Sequence, residues 1–130
     1  MITLERALGY LRAGEEEAAR QGLKLAFAVV DAGGHLVASH RMDGAPWITP
    51  EVALGKAWTA AAWGTPSAAQ GEKMKELHAF SSAISTATHG RFTPQIGGLP
   101  ILDGDEVVGA MGASGASGAE DEAVVRAAIN

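Results

Sequence analysis

Four side chains stand out as able to hold one small anion: Arg41, Asp43, Lys56 and Thr59. Lys56 and Thr59 are three residues apart, a spacing that puts both on one helix face, and Trp63 follows four residues beyond Thr59. Arg41 closes a segment that reads as a strand, and Asp43 opens the loop into the helix. A guanidinium, an ammonium and a hydroxyl converging on one point would grip the carboxylate of a small oxo- or hydroxy-acid through charge-assisted hydrogen bonds. Backbone amides of Gly97 and Gly98, and of the turn containing Gly112, Ser114 and Gly115, would complete such a site. The competing reading is an ordinary surface pair, Arg41 with Asp43 or Lys56 with a glutamate, worth under about 1 kcal/mol.

The four histidines offer a second kind of chemistry, proton exchange or ligation through a ring nitrogen. His35 falls at a hairpin turn and faces solvent on this reading. His40 shares strand parity with Leu36, Ala38 and Met42, which predicts a half-buried ring satisfied by a neighbour. His78 and His89 bracket the polar stretch 81–88 and are the best placed to reach a ligand. Met42, Trp47 and Trp58 could wall a planar cofactor, although Trp58 and Trp63 fit core or subunit packing equally well. No metal-binding spacing is present, and Asp103, Asp105 and Glu106 cluster where solvated turn acids are ordinary. Ser114 lacks the G-x-S-x-G setting of a hydrolase nucleophile.

Glycine recurs every third residue at Gly109, Gly112, Gly115 and Gly118, where a strand runs into the last helix. A phosphate cradle would need G-x-G-x-x-G or a Lys-Ser/Thr pair after the last glycine, and neither occurs. Glu120, Asp121 and Glu122 already fill the helix's first turn and would repel an anion there. These glycines therefore read as positions of close backbone approach.

The elements that must position these residues follow from periodicity. Leu4, Ala7, Leu8 and Leu11 mark a helix face, capped by Thr3 and ended at Gly22. Stretches 25–30 and 35–42, joined by a turn at 31–34, form a hairpin. Thr49 as N-cap and Pro50 open the second helix, which Gly64 stops; Ser67 and Gln70 suggest a capping box for a third helix running to about His78. The Ser/Thr-rich stretch 81–95 reads as loop or distorted strand. Stretches 99–102 and 106–114 form a second hairpin, and Ser117 with Glu120 caps a terminal helix to about Ile129. Paired hairpins flanked by helices predict an α+β chain with a largely antiparallel sheet.

With 130 residues, 47% hydrophobic and 19% charged, the chain reads as one domain over 1–130. A net charge of −5 without basic clusters argues against nucleic acid or an anionic membrane as partner. The absence of cysteine excludes disulfides and a thiolate nucleophile, and no segment has the length of a signal peptide core or a membrane span, so a cytoplasmic protein is expected.

Five segments, taken in order, resemble the GlcG/HbpS family: Ala28-Val-Val-Asp-Ala-Gly-Gly-His-Leu-Val37, Arg41-Met-Asp-Gly-Ala45, Lys56-Ala-Trp-Thr-Ala60, Gly97-Gly-Leu-Pro-Ile101, and Gly104-Asp-Glu-Val-Val-Gly-Ala-Met-Gly-Ala-Ser-Gly115. Relatives of this family include the C-terminal domain of PduO-type corrinoid adenosyltransferases. The resemblance implies a profilin-like three-layer α/β/α fold with a five-stranded antiparallel sheet, the fifth strand falling at 91–96, and a homo-oligomer. It implies a small-molecule-binding protein with haem or a related tetrapyrrole as the named ligand. The haem-binding histidines of relatives lie near their N-termini, and here the first histidine is His35. The alternatives are an enzyme or enzyme accessory acting on a small oxo- or hydroxy-carboxylate such as glycolate, and an oligomer subunit with no small ligand.

Overall fold

The computed structural model describes residues 1–130. The elements, in order, are α1 (Leu4–Arg20), β1 (Ala26–Asp31), β2 (Leu36–Arg41), α2 (Thr49–Trp63), α3 (Ser67–Lys73), α4 (His78–Ala87), β3 (Gly98–Asp103), β4 (Glu106–Ser114) and α5 (Gly118–Ile129). Both expected hairpins form, and the strands make one antiparallel sheet in the order β2-β1-β4-β3.

Alternation along β1 sorts the core into two layers, because successive strand residues face opposite ways. Phe27 and Val29 join Leu11 and Ala18 of α1, Met111 and Ala113 of β4, and Val124 and Val125 of α5 on one side. Val30 and Ala110 meet Ala57, Ala60 and Ala61 of α2 on the other. Helices therefore cover both faces of the sheet.

The α2 side is the tighter one, and glycine makes it so. A Cβ at Gly112 would sit against the carbonyl oxygen of Ala53 and 2.8 Å from the nitrogen of Ala57. A Cβ at Gly98 would meet the carbonyl oxygen of Lys56. The strand glycines thus let α2 lie directly on β3 and β4, as close-approach positions rather than a phosphate cradle.

The sheet has four strands, not five. Residues 91–96 are irregular: Pro94 has no N–H to give to a ladder, and the Thr93 N–H donates to Thr59 Oγ1 of α2 at 2.8 Å instead. The stretch 81–95, read as loop or distorted strand, is loop from 88 onward, but 81–87 belong to the helix α4, which packs against no other helix or strand. Its C-terminal turn is held by Ser85 Oγ donating to Phe92 O at 2.8 Å and Thr88 Oγ1 donating to Ile84 O at 2.8 Å.

Helix caps divide in the same way. Thr3 Oγ1 accepts from Arg6 N, and Ser117 with Glu120 forms the full capping box. Thr49 is already helical, with Ile48 at the N-cap position, and its hydroxyl donates to Pro46 O at 2.7 Å. Ser67 caps nothing; its Oγ accepts from Gly98 N at 2.9 Å and donates to Gln95 O at 2.6 Å, and α3 stops at Lys73, short of His78.

Candidate functional site

The residues singled out by chemistry separate into two places. One is a sealed seam under α2. Lys56 and Asp121 are 5% and 1% exposed, and Lys56 Nζ donates to Asp121 Oδ2 at 3.1 Å and to Ala113 O at 3.0 Å. Asp121 Oδ1 accepts from Ala116 N at 3.0 Å, so the carboxylate also fastens the turn between β4 and α5. Burial pushes the Asp121 carboxyl above its ordinary value, against the opposing pull of Lys56. The pair ties α2 to β4 and α5, and it consumes the charge of Lys56.

The rest of that group is also committed to the fold. Thr59 is fully buried, donating to Gly55 O at 2.8 Å and accepting from Thr93 N. Gly97 has φ +140, and a Cβ there would strike Lys56 Nζ at 2.7 Å and Ala113 O at 2.9 Å. Gly98 and Gly112 give α2 its close approach, and Gly115, at φ +139, passes against the carbonyl of Lys24. Ser114 is 9% exposed and lines a depression of about 330 Å³ with Lys56, Gln95 and Asp121.

The second place is a groove of about 900 Å³ along the open edge of β2. Glu15, Glu16 and Ala19 of α1 form one side; the turn Gly22–Lys24 closes one end; Ser39–Asp43 form the other side. It exists because β2 is an edge strand, overhung by α1 on this face of the sheet. His40 is paired across the sheet with Phe27, a fully buried core residue, so its ring points to the α1 side. Its Nδ1 lies 2.6 Å from Glu15 Oε1, a satisfying neighbour as parity predicts, but the residue is exposed rather than half-buried. Arg41 reaches only Ala45 O, at 3.4 Å, and forms no ion pair with Asp43; both residues line the groove. Lys24, Leu23 and Met42 complete it.

Arg41 and Lys56 therefore do not converge. Arg41 opens onto the groove, while Lys56 is spent on Asp121. His78 and His89 are exposed, lie at the two ends of α4, and make no side-chain hydrogen bond. His89 is the one non-glycine residue with positive φ, at 56°. His35 is exposed as expected, with Nδ1 3.2 Å from Asp31 Oδ1. Trp47 is 79% exposed, Trp58 packs against the turn at Gly34, and Trp63 stacks at 5.2 Å on Phe92, so of the expected cofactor walls only Met42 lines the groove.

Sequence reading missed two partners, Asp121 and Glu15. The signal for the first was Lys56 itself: an ammonium amid Gly55, Ala57 and Ala60 on an otherwise apolar helix must find a buried counter-charge. Nothing in the sequence pointed to Glu15, twenty-five residues from His40.

The result is an α+β chain with one antiparallel sheet between helices and an open groove along the sheet's edge. A family model described as haem degrading protein HbpS-like matches residues 2–130, and the chain belongs to this family. It is 31% identical to the protein GlcG of Escherichia coli K12 over 112 residues, covering 86% of this chain and 80% of GlcG. The structure of a double mutant of Streptomyces reticuli HbpS superposes with a TM-score of 0.86 at 30% identity, covering 98% of this chain and 84% of that one. A PduOC–haem complex shares the fold with a TM-score of 0.88 at 24% identity, covering 98% and 92%. No helix is long and apolar enough to cross a membrane.

Proposed function

We propose that this protein binds haem or a closely related tetrapyrrole in the groove between α1 and β2. The observation that carries the reading is the composition of that groove. Ala19, Leu23 and Met42 supply apolar surface for a flat macrocycle, while Lys24 and Arg41 supply cations for its carboxylate side chains. At about 900 Å³ the groove has room for a ligand of that size. The HbpS-like family and the haem complex of a relative with the same fold support the same ligand class. The bound group would bring iron, and this chain's own residues would hold and orient it.

His78 begins α4 and His89 lies two residues past its end, and neither lines this groove. The carboxylate-acid alternative loses its second cation to Asp121. The exposed surface of α4, with Leu77 45% and Phe80 55% exposed, supports self-association, as does its lack of any Asp, Glu, Lys or Arg.

The test is a haemin titration of the purified protein followed at the Soret band. Saturation at one haemin per chain is expected, with affinity reduced at least tenfold in Lys24→Glu/Arg41→Glu. A response that never saturates, or a double variant that binds as the wild type does, would remove the groove from the account.

A further inference from the structure

We propose that His40, oriented by Glu15, is the side chain that ligates the iron of the tetrapyrrole; this rests on the reading of the groove given above. A carboxylate can only accept, so the 2.6 Å contact between Glu15 Oε1 and His40 Nδ1 places the ring proton on Nδ1. That leaves Nε2 with a free lone pair, and Nε2 has no hydrogen-bond partner in the protein. A ring whose far nitrogen donates to a carboxylate while the near one stays bare is the arrangement typical of metal-ligating histidines.

Three further observations select this ring and this kind of metal. No group of three or more His, Asp or Glu side chains could hold a bare ion. A tetrapyrrole supplies four nitrogens of its own, so one protein nitrogen suffices. His40 is the one histidine lining the large groove, in company with Met42, Lys24 and Arg41. Its backbone is also fixed by pairing with Phe27, whose side chain is fully buried, so the ring starts from a rigid strand rather than a loop. His78 and His89 have neither a carboxylate partner nor a strand beneath them.

Glu15 is a positioning residue in this scheme. Its carboxylate gives the imidazole partial imidazolate character, strengthening donation to ferric iron and lowering the reduction potential.

The experiment uses haemin with four proteins: wild type, His40→Gly, Glu15→Gln, and His78→Ala/His89→Ala. Absorption and electron paramagnetic resonance spectra of the wild type should show nitrogen ligation. His40→Gly should still take up haemin, bind it at least tenfold more weakly, and lose the nitrogen-ligated spectrum; added imidazole should restore it. Glu15→Gln should keep the ligated spectrum with a more positive reduction potential. The α4 double variant should match the wild type. If His40→Gly gives the wild-type spectrum and imidazole changes nothing, His40 is not the ligand, although the groove still binds the macrocycle. If the wild type itself takes up no haemin, the tetrapyrrole reading and this proposal both fall. Because His40 and Glu15 are on the surface, the Glu15→Gln apoprotein should melt with the wild type and His40→Gly only slightly below it, by the cost of a glycine in a strand, which separates loss of ligation from loss of fold.

Discussion

Lys56–Asp121 and His40–Glu15 each set a side-chain nitrogen against a carboxylate across distant parts of the chain, yet they sit in opposite surroundings. The first is sealed beneath α2, its side chains 6% and 2% exposed; the second lies open along an edge strand, at 43% and 32%. A buried charge left without its partner is expensive, so the first pair is held to its structural task even where it lines the small depression beside Ser114. An exposed pair contributes little to stability, so the second is free to be used. The difference shows that proximity to a glycine-rich motif marks close packing here. The glycines surround the pair that holds the fold, while the groove is lined by ordinary surface residues.

The largest effects should come from breaking the sealed side. Gly112→Val drives a side chain into the Ala53 carbonyl, which belongs to a helix backbone that cannot yield, and should cost more than roughly 3 kcal/mol. Urea unfolding would register it, with loss of the cooperative transition as the extreme case. Lys56→Ala should cost about 3–5 kcal/mol by stranding Asp121 in the core, whereas Lys56→Met/Asp121→Leu should recover most of that loss. A double variant no better than the single would show that the pair's hydrogen bonds to Ala113 and Ala116, rather than charge balance, carry the seam.

A smaller effect distinguishes buried from exposed carboxylates by pH. Arg6 grips Asp103 through two bonds, at 2.8 and 3.0 Å, and holds its carboxyl below the ordinary 3.8. The folded state then binds fewer protons than the unfolded one. This stabilisation is complete above pH 3.8 and is lost as the pH falls through the depressed value. Asp121 runs the other way: its raised carboxyl binds more protons when folded, so its contribution is fullest below 3.8 and declines as the pH rises through the raised value. Asp103→Asn should therefore flatten the acid limb of a plot of urea midpoint against pH from 5 to 2.5. An unchanged limb would mean the Arg6 pair is dissolved in solution.

Much of the fold was legible because it is local. The first helix, both hairpins and the Ser117 capping box follow from periodicity and turn chemistry within a few residues. Failures came where a distant partner decides. Ser67 has the sequence of a cap but serves the backbone at Gly98, and Thr93 gives its N–H to Thr59 instead of to a fifth strand. The helix α4 was hidden because Ser and Thr favour other conformations in isolation, and because it packs on no other element that would have imposed an apolar stripe. The candidate site was the least legible. Of the residues chosen for their chemistry, Arg41 and Asp43 do line the groove, but His40 gained its carboxylate only through the folding of α1 over β2.

The central claim is that structure and ligand binding are divided between the two pairs, and one paired measurement tests it. His40→Gly and Lys56→Ala would each be measured for urea stability as apoprotein and for haemin binding at the Soret band under conditions where they are folded. The account predicts that His40→Gly loses no more than about 1 kcal/mol, the cost of a glycine within a strand, while losing the nitrogen-ligated spectrum, and that Lys56→Ala loses about 3–5 kcal/mol while keeping that spectrum. If instead the folded Lys56→Ala protein loses the spectrum and His40→Gly keeps it, the ligand belongs to the seam under α2 and the division proposed here is wrong.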